Sequence, residues 1–117
     1  MKILKLRGYL PNIKLQYCFN CKKQFTYADV CKNWLCPDCQ KPISLKIETS
    51  NSELHCKNIS IKQINPADKI IVTPNFVSEI IKNEEKVDCF YLAIKNCRYC
   101  YCDKSSVITK VIGIWNL

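Results

Sequence analysis

Apolar and polar positions alternate along most of this chain with the period of two that marks a strand buried on one face. Ile13, Leu15 and Tyr17 alternate with Lys14 and Gln16 and run directly into Cys18. After Cys39, the stretch Ile43-Ser44-Leu45-Lys46-Ile47 alternates again, as a returning strand would. Upstream, Ile3, Leu4, Leu6, Tyr9 and Leu10 read as extended chain ending in a turn at Pro11-Asn12. The polar residues 48–53 are the best linker candidate. Beyond them, Ile59, Ile61 and Ile64 lead to the β-branched run Ile70-Ile71-Val72, and Cys89–Ile94 and Val107–Trp115 read as strands around a turn at Ser105-Ser106. Residues 76–81 carry apolar doublets at 76, 77 and 80, 81, which suit either a short helix or a strand, and Lys82–Lys86 reads as a solvated turn.

The set predicts a mainly β protein. Residues 54–117 form a small β-rich domain, closed as an antiparallel sheet or open barrel with one short helix as an option. Residues 1–48 form a first unit with cysteine pairs at its strand ends, and the two units either share one core or do not.

The cysteines carry the chemistry. Cys18-Phe19-Asn20-Cys21 and Cys36-Pro37-Asp38-Cys39 are two C-x2-C pairs joined by a loop. Two residues between thiolates let the chain turn so that both sulfurs face one cation, and two such knuckles complete a tetrahedron at ~2.3 Å per metal–sulfur bond. The stretches Tyr17-Cys18-x-x-Cys21 and Trp34-Leu35-Cys36-Pro37-x-Cys39 resemble the zinc-ribbon and rubredoxin-like knuckle family over residues 17–40. The match departs from that family at Lys22 and Gln40, where such knuckles often carry glycine. The resemblance implies one bound zinc ion and contact with nucleic acid or protein partners. Iron is the alternative, since thiolate tetrahedra accept either ion. Cys31, in the loop, reads as a small packed residue.

A second cluster, Cys97, Cys100 and Cys102 with Cys89 upstream, offers a second metal site, with His55 and Cys56 as further candidate ligands. Its bland reading is reduced thiols in a β core, and a redox pair is a third. His55 is the lone histidine and has no carboxylate or serine at recognisable spacing, so a surface role is preferred to that of a base.

Composition and charge narrow the function. The chain of 117 residues is 48% apolar and 24% charged, which is ordinary globular material. Its two glycines, Gly8 and Gly113, exclude glycine-rich phosphate loops. No signal peptide or membrane-spanning run is visible, so a cytoplasmic location with reduced thiols is expected, and ten cysteines then point to metal. The net charge is +8, of which residues 1–47 carry +7. Codon bias and solubility are the bland readings of the lysine excess, but a basic first unit suits an anionic polymer.

Lys22, Lys23, Lys32 and Trp34 in the knuckle loop, and Arg98 farther on, are the candidate nucleic-acid contacts. For Phe25, Tyr27 and Trp34, packing over the metal site is the preferred role. The function read from the sequence is a zinc-ribbon accessory protein that binds nucleic acid or a nucleic-acid-processing complex. The alternatives are a protein–protein adaptor with structural zinc and a rubredoxin-like electron carrier. No catalytic residues, small-molecule substrate or membrane partner are expected, because four closed thiolates leave no open metal position and one histidine assembles no nucleophile–base pair.

Overall fold

A computed structural model of the chain describes residues 2–3, 12–50, 52–73, 76–97 and 99–116, without the side chains of residues 2, 3, 73 and 76. The expected extended segment over residues 4–11 lies outside these. Ten strands make one open sheet: β1 (Lys2–Ile3), β2 (Ile13–Cys18), β3 (Lys23–Phe25), β4 (Ser44–Glu48), β5 (Glu53–Ser60), β6 (Lys69–Thr73), β7 (Phe76–Glu85), β8 (Phe90–Ile94), β9 (Cys100–Cys102) and β10 (Ser106–Ile114). Their order is β3-β2-β4-β5-β10-β6-β7-β8-β9, antiparallel throughout, and β1 pairs in parallel with β10 beside it. The protein is mainly β, as the alternation predicts. Helical structure is confined to one turn, α1 (Tyr27–Val30), and a 3-10 turn at Ile61–Gln63.

The segment after β4 turns straight back, with the Thr49 N–H donating to the Ser52 carbonyl at 2.8 Å, so that β5 lies beside β4. From β5 onward the sheet is buried on both faces in places, because its side chains alternate between two cores. Cys56, Ile71 and Val107 enter the first core with Trp34, Ile43, Leu45 and Ile47. Their chain neighbours Ile70, Val72 and Ile108 enter the second, with Ile80, Leu92 and Ile94. Between β5 and β10 a buried polar pair bonds internally: the Thr109 hydroxyl donates to Asn58 Oδ1 at 2.7 Å, while Asn58 Nδ2 has no partner among the described residues.

Two of the sheet's register shifts, in β2 and β7, account for the departures from simple alternation in those strands. In β2, Ile13 lies opposite Ile47 but Leu15 lies opposite Lys46, so one extra residue, Lys14, is inserted. The buried face therefore changes sides within the strand. Ile13 packs on the first core, and thereafter Gln16 and Cys18 face inward while Leu15 and Tyr17 are only half-buried. In β7, Ile80 pairs with Ile94 and Lys82 with Ala93, which inserts Ile81 and leaves it exposed. That bulge produces the apolar doublet at 80, 81, so residues 76–81 are strand and the helical option fails. Residues 82–85 continue β7 and pair with β8, and the turn falls later, where the Lys86 N–H donates to the Cys89 carbonyl at 2.8 Å.

Candidate metal centre

The end of β2 delivers Cys18 and the tip of the following turn delivers Cys21, whose backbone N–H points at Cys18 Sγ at 3.4 Å. Across the loop, a matching turn delivers Cys36 and Cys39. There the Gln40 N–H donates to the Cys36 carbonyl at 2.8 Å and the Cys36 N–H to the Lys41 carbonyl at 2.8 Å. The two turns are held against one another by β2–β4 pairing and by the Leu35–Pro42 bridge.

Both turns require a left-handed residue directly after the second cysteine or next to it. Lys22 has φ 53° and Gln40 has φ 61°. These are the two positions where the sequence departs from the glycine expected in such knuckles, so the backbone keeps the knuckle shape despite the side chains. An L-residue there costs about 1–2 kcal/mol relative to its preferred conformation. Replacing Gln40 by glycine should therefore raise stability by about 1 kcal/mol, or ~4 °C in melting temperature, with alanine giving no gain. Thermal melts of the metal-saturated protein check this. The lost Gln40 Nε2 bond to the Pro37 carbonyl, at 3.2 Å, is solvent-exposed and subtracts little.

The four ligand atoms of Cys18, Cys21, Cys36 and Cys39 all lie within 4.8 Å of one another. Cys18 and Cys39 Sγ are 3.6 Å apart, and Cys36 and Cys21 Sγ are 3.9 Å apart. Four sulfurs on one ion at ~2.3 Å stand ~3.8 Å apart in a regular tetrahedron. The donor set thus fits a thiophilic divalent ion in spacing and chemistry. Among the described residues, this is the only group of three or more His, Cys, Asp or Glu side chains gathered closely enough to hold a metal.

With no cation, the thiols compete for protons. A hydrogen bond with Cys39, followed by burial, pushes Cys21 up to about 12. Burial raises Cys18. The Lys41 backbone N–H beside Cys39 draws that thiol down to about 6. Cys39 is therefore mostly ionised at neutral pH, while Cys18 and Cys21 must each release a proton to bind.

The loop between the knuckles folds over the site. Thr26 caps α1 reciprocally: its hydroxyl accepts from the Asp29 N–H at 3.3 Å and Asp29 Oδ2 accepts from the Thr26 N–H at 3.0 Å. Trp34 is only 2% exposed and has φ 61°, an uncommon backbone for so bulky a residue. It is held there by its N–H on the Val30 carbonyl at 2.7 Å and by the Ile43 N–H on its own carbonyl at 3.0 Å. Its ring packs in the first core, with Tyr27 edge-on at 5.5 Å, and is not a surface for stacking. Lys22, Lys23 and Lys32 are exposed, and Lys23 shares its charge with Asp38 at 3.5 Å. Arg98 lies outside the described residues. Cys31 closes α1, half-buried against the first core and outside the four-cysteine group.

No family model, curated protein or solved structure matches the chain.

The second cysteine set is spread rather than converged. Cys100 and Cys102 project from the same side of β9 with sulfurs 3.5 Å apart, and their mutual hydrogen bond lowers the Cys100 thiol and raises that of Cys102. Cys97 packs against the second core beside them, and Cys89 is half-buried. Cys56 is in the other core, where burial pushes its thiol up to about 12. His55 points away from that core and bonds Ser44 Oγ through Nε2 at 2.8 Å. No helix among the described residues is long and apolar enough to cross a membrane.

Proposed function

We propose that residues 1–48 form a zinc-ribbon-type module through which this protein binds nucleic acid, alone or within a nucleic-acid-processing complex. The observation that carries this reading is the position of the four sulfurs. They staple the base of a loop whose lysines at 22, 23 and 32 are all exposed, within a segment that holds nearly all of the net charge. The metal's role is structural, since four thiolates close its coordination sphere and leave no place for water or substrate. Binding then rests on phosphate contacts made by a loop kept in shape by the metal.

Metal content separates zinc from iron, with one equivalent of zinc expected and a red protein pointing to the electron-transfer alternative. Gel shift at increasing salt tests the partner. Retardation should weaken linearly in log affinity against log salt, and alanine at Lys22, Lys23 and Lys32 together should reduce that slope by about 2. Absence of retardation of either single- or double-stranded probes at low salt would overturn the nucleic-acid reading in favour of an adaptor.

A further inference from the structure

The bulge in β2 turns Tyr17 away from the core, and the first knuckle places Phe19 beside it at 4.9 Å between ring centroids. Phe19 also meets His55 at 5.4 Å and Trp115 at 5.6 Å, and His55 meets Trp115 at 5.6 Å. Four rings from residues far apart in sequence thus form one patch, with Phe19 at its hub and 40% exposed. Its members are pinned rather than loose. His55 is tied to Ser44, and the Trp115 N–H donates to the Glu53 carbonyl at 3.0 Å.

The patch is bordered by cations. Lys46 lies directly across the sheet from His55. Lys57, two residues along β5, lies directly across from Lys110. Like charges facing each other on paired strands repel. Lys110 is neutralised by Asp68 at 3.3 Å and Lys46 by Glu53 at 3.3 Å, whereas Lys57 has no ion pair among the described residues. Apolar ring faces edged by an uncompensated lysine match a chain that offers flat π surfaces and negative charge together. An apolar peptide would match the rings but leave the lysine without a partner.

We propose that Phe19, His55 and Trp115 form a platform on which unpaired bases of single-stranded nucleic acid stack, with Lys57 on the adjoining phosphate. The assignment rests on the nucleic-acid reading above and goes beyond it by naming the site and the form of the ligand. Ring–base stacking is sequence-tolerant, so the platform selects unpaired strands over duplex rather than one sequence. Because Phe19 sits between two thiolate ligands, the same metal that closes the knuckle also sets the height of the central ring.

The test uses the full metal-loaded chain with a fluorescently labelled 15-nucleotide oligothymidylate at low salt. Phe19→Ala and Trp115→Leu should each weaken binding about 5- to 100-fold, Phe19→Tyr should restore it, and competition by blunt duplex DNA of equal length should be poor. Metal content must stay at the wild-type value in the variants that are compared. In the wild-type protein, saturation with the same oligonucleotide should quench the emission of Trp115, while buried Trp34 supplies a constant background. This second measurement does not depend on any variant folding. Unchanged affinity in the metal-replete variants, or unquenched emission at saturation, would overturn the platform while leaving nucleic-acid binding intact. Failure of the wild-type protein to bind any oligonucleotide would overturn both.

Discussion

Replacing Cys36 by serine should cost the protein its metal and, with it, the fold of the loop between the two knuckles. Cys36 is completely buried, and its sulfur is one of only four donors, so no neighbouring side chain can take its place. A lost supporting partner of a metal ligand typically costs about 10–100-fold in affinity, and loss of the ligand itself costs more. The loop has little else to hold it. Its buried anchors are Phe25, Val30 and Trp34, set against about 1–2 kcal/mol of backbone entropy for each residue ordered. Apparent binding energies of structural zinc in small modules run to about 10–16 kcal/mol, enough to decide such a balance. Elemental analysis should show metal well below one equivalent, and limited proteolysis should cut within residues 19–42. Cys31→Ser and Cys102→Ser should keep the metal, because neither sulfur belongs to the group of four.

Metal affinity should fall steeply with acid. Cys18 and Cys21 are raised in the metal-free state and protonated at neutral pH, so binding releases a proton from each. Lowering the pH from 8 toward 6 opposes that release, and these two protons alone should make affinity drop by at least about 100-fold per unit. Below about 6, where Cys39 also takes up its proton, one more proton enters and the dependence should steepen by about a further tenfold per unit. Stability follows the same sign: whatever the bound metal contributes to folding is present at neutral and alkaline pH and is lost on acidification. Competition with a chelator of known pH behaviour, at pH 8, 7, 6 and 5.5, measures the slope. A flat profile would mean that these thiols do not hold the ion.

Much of this could be read along the chain, for a physical reason that differs between the parts. The four cysteines were legible because ligand spacing within each pair is local: two residues between sulfurs define a knuckle whatever surrounds it. β4 and β8 were legible because each keeps an unbroken alternation over its length, and β10 because it is a long β-branched apolar run, despite its register shift between Val111 and Gly113. The end of β7 was not, because Ile81 is an inserted residue, and an apolar doublet made by a bulge looks the same in sequence as one made by a helix. The side of β2 that is buried was also hidden. Ile13, Leu15 and Tyr17 share a period, yet only Ile13 packs on the first core. The ring patch could not be seen at all, since Phe19, His55 and Trp115 meet only through the ordering of β2, β4, β5 and β10 in the sheet. The one sequence signal for it was an aromatic ring inside a knuckle, where a small polar residue would serve the metal equally well.

The extra residue in β2 separates two kinds of tolerance that usually go together. The Lys14 side chain is exposed, its ion pair with Glu48 spans 3.9 Å, and its chemical identity is close to irrelevant. How it is paired is not irrelevant. Were Lys14 taken into regular pairing, the strand would stay in step with β4 from Ile13 onward, so Cys18 would turn outward and Tyr17 would take its place beside three thiols. Removing Lys14 altogether would leave Ile13 and Cys18 on the same face with no bulge between them, so this stretch can absorb a change of residue there, or its loss, but not a flattening of the bulge with the residue in place.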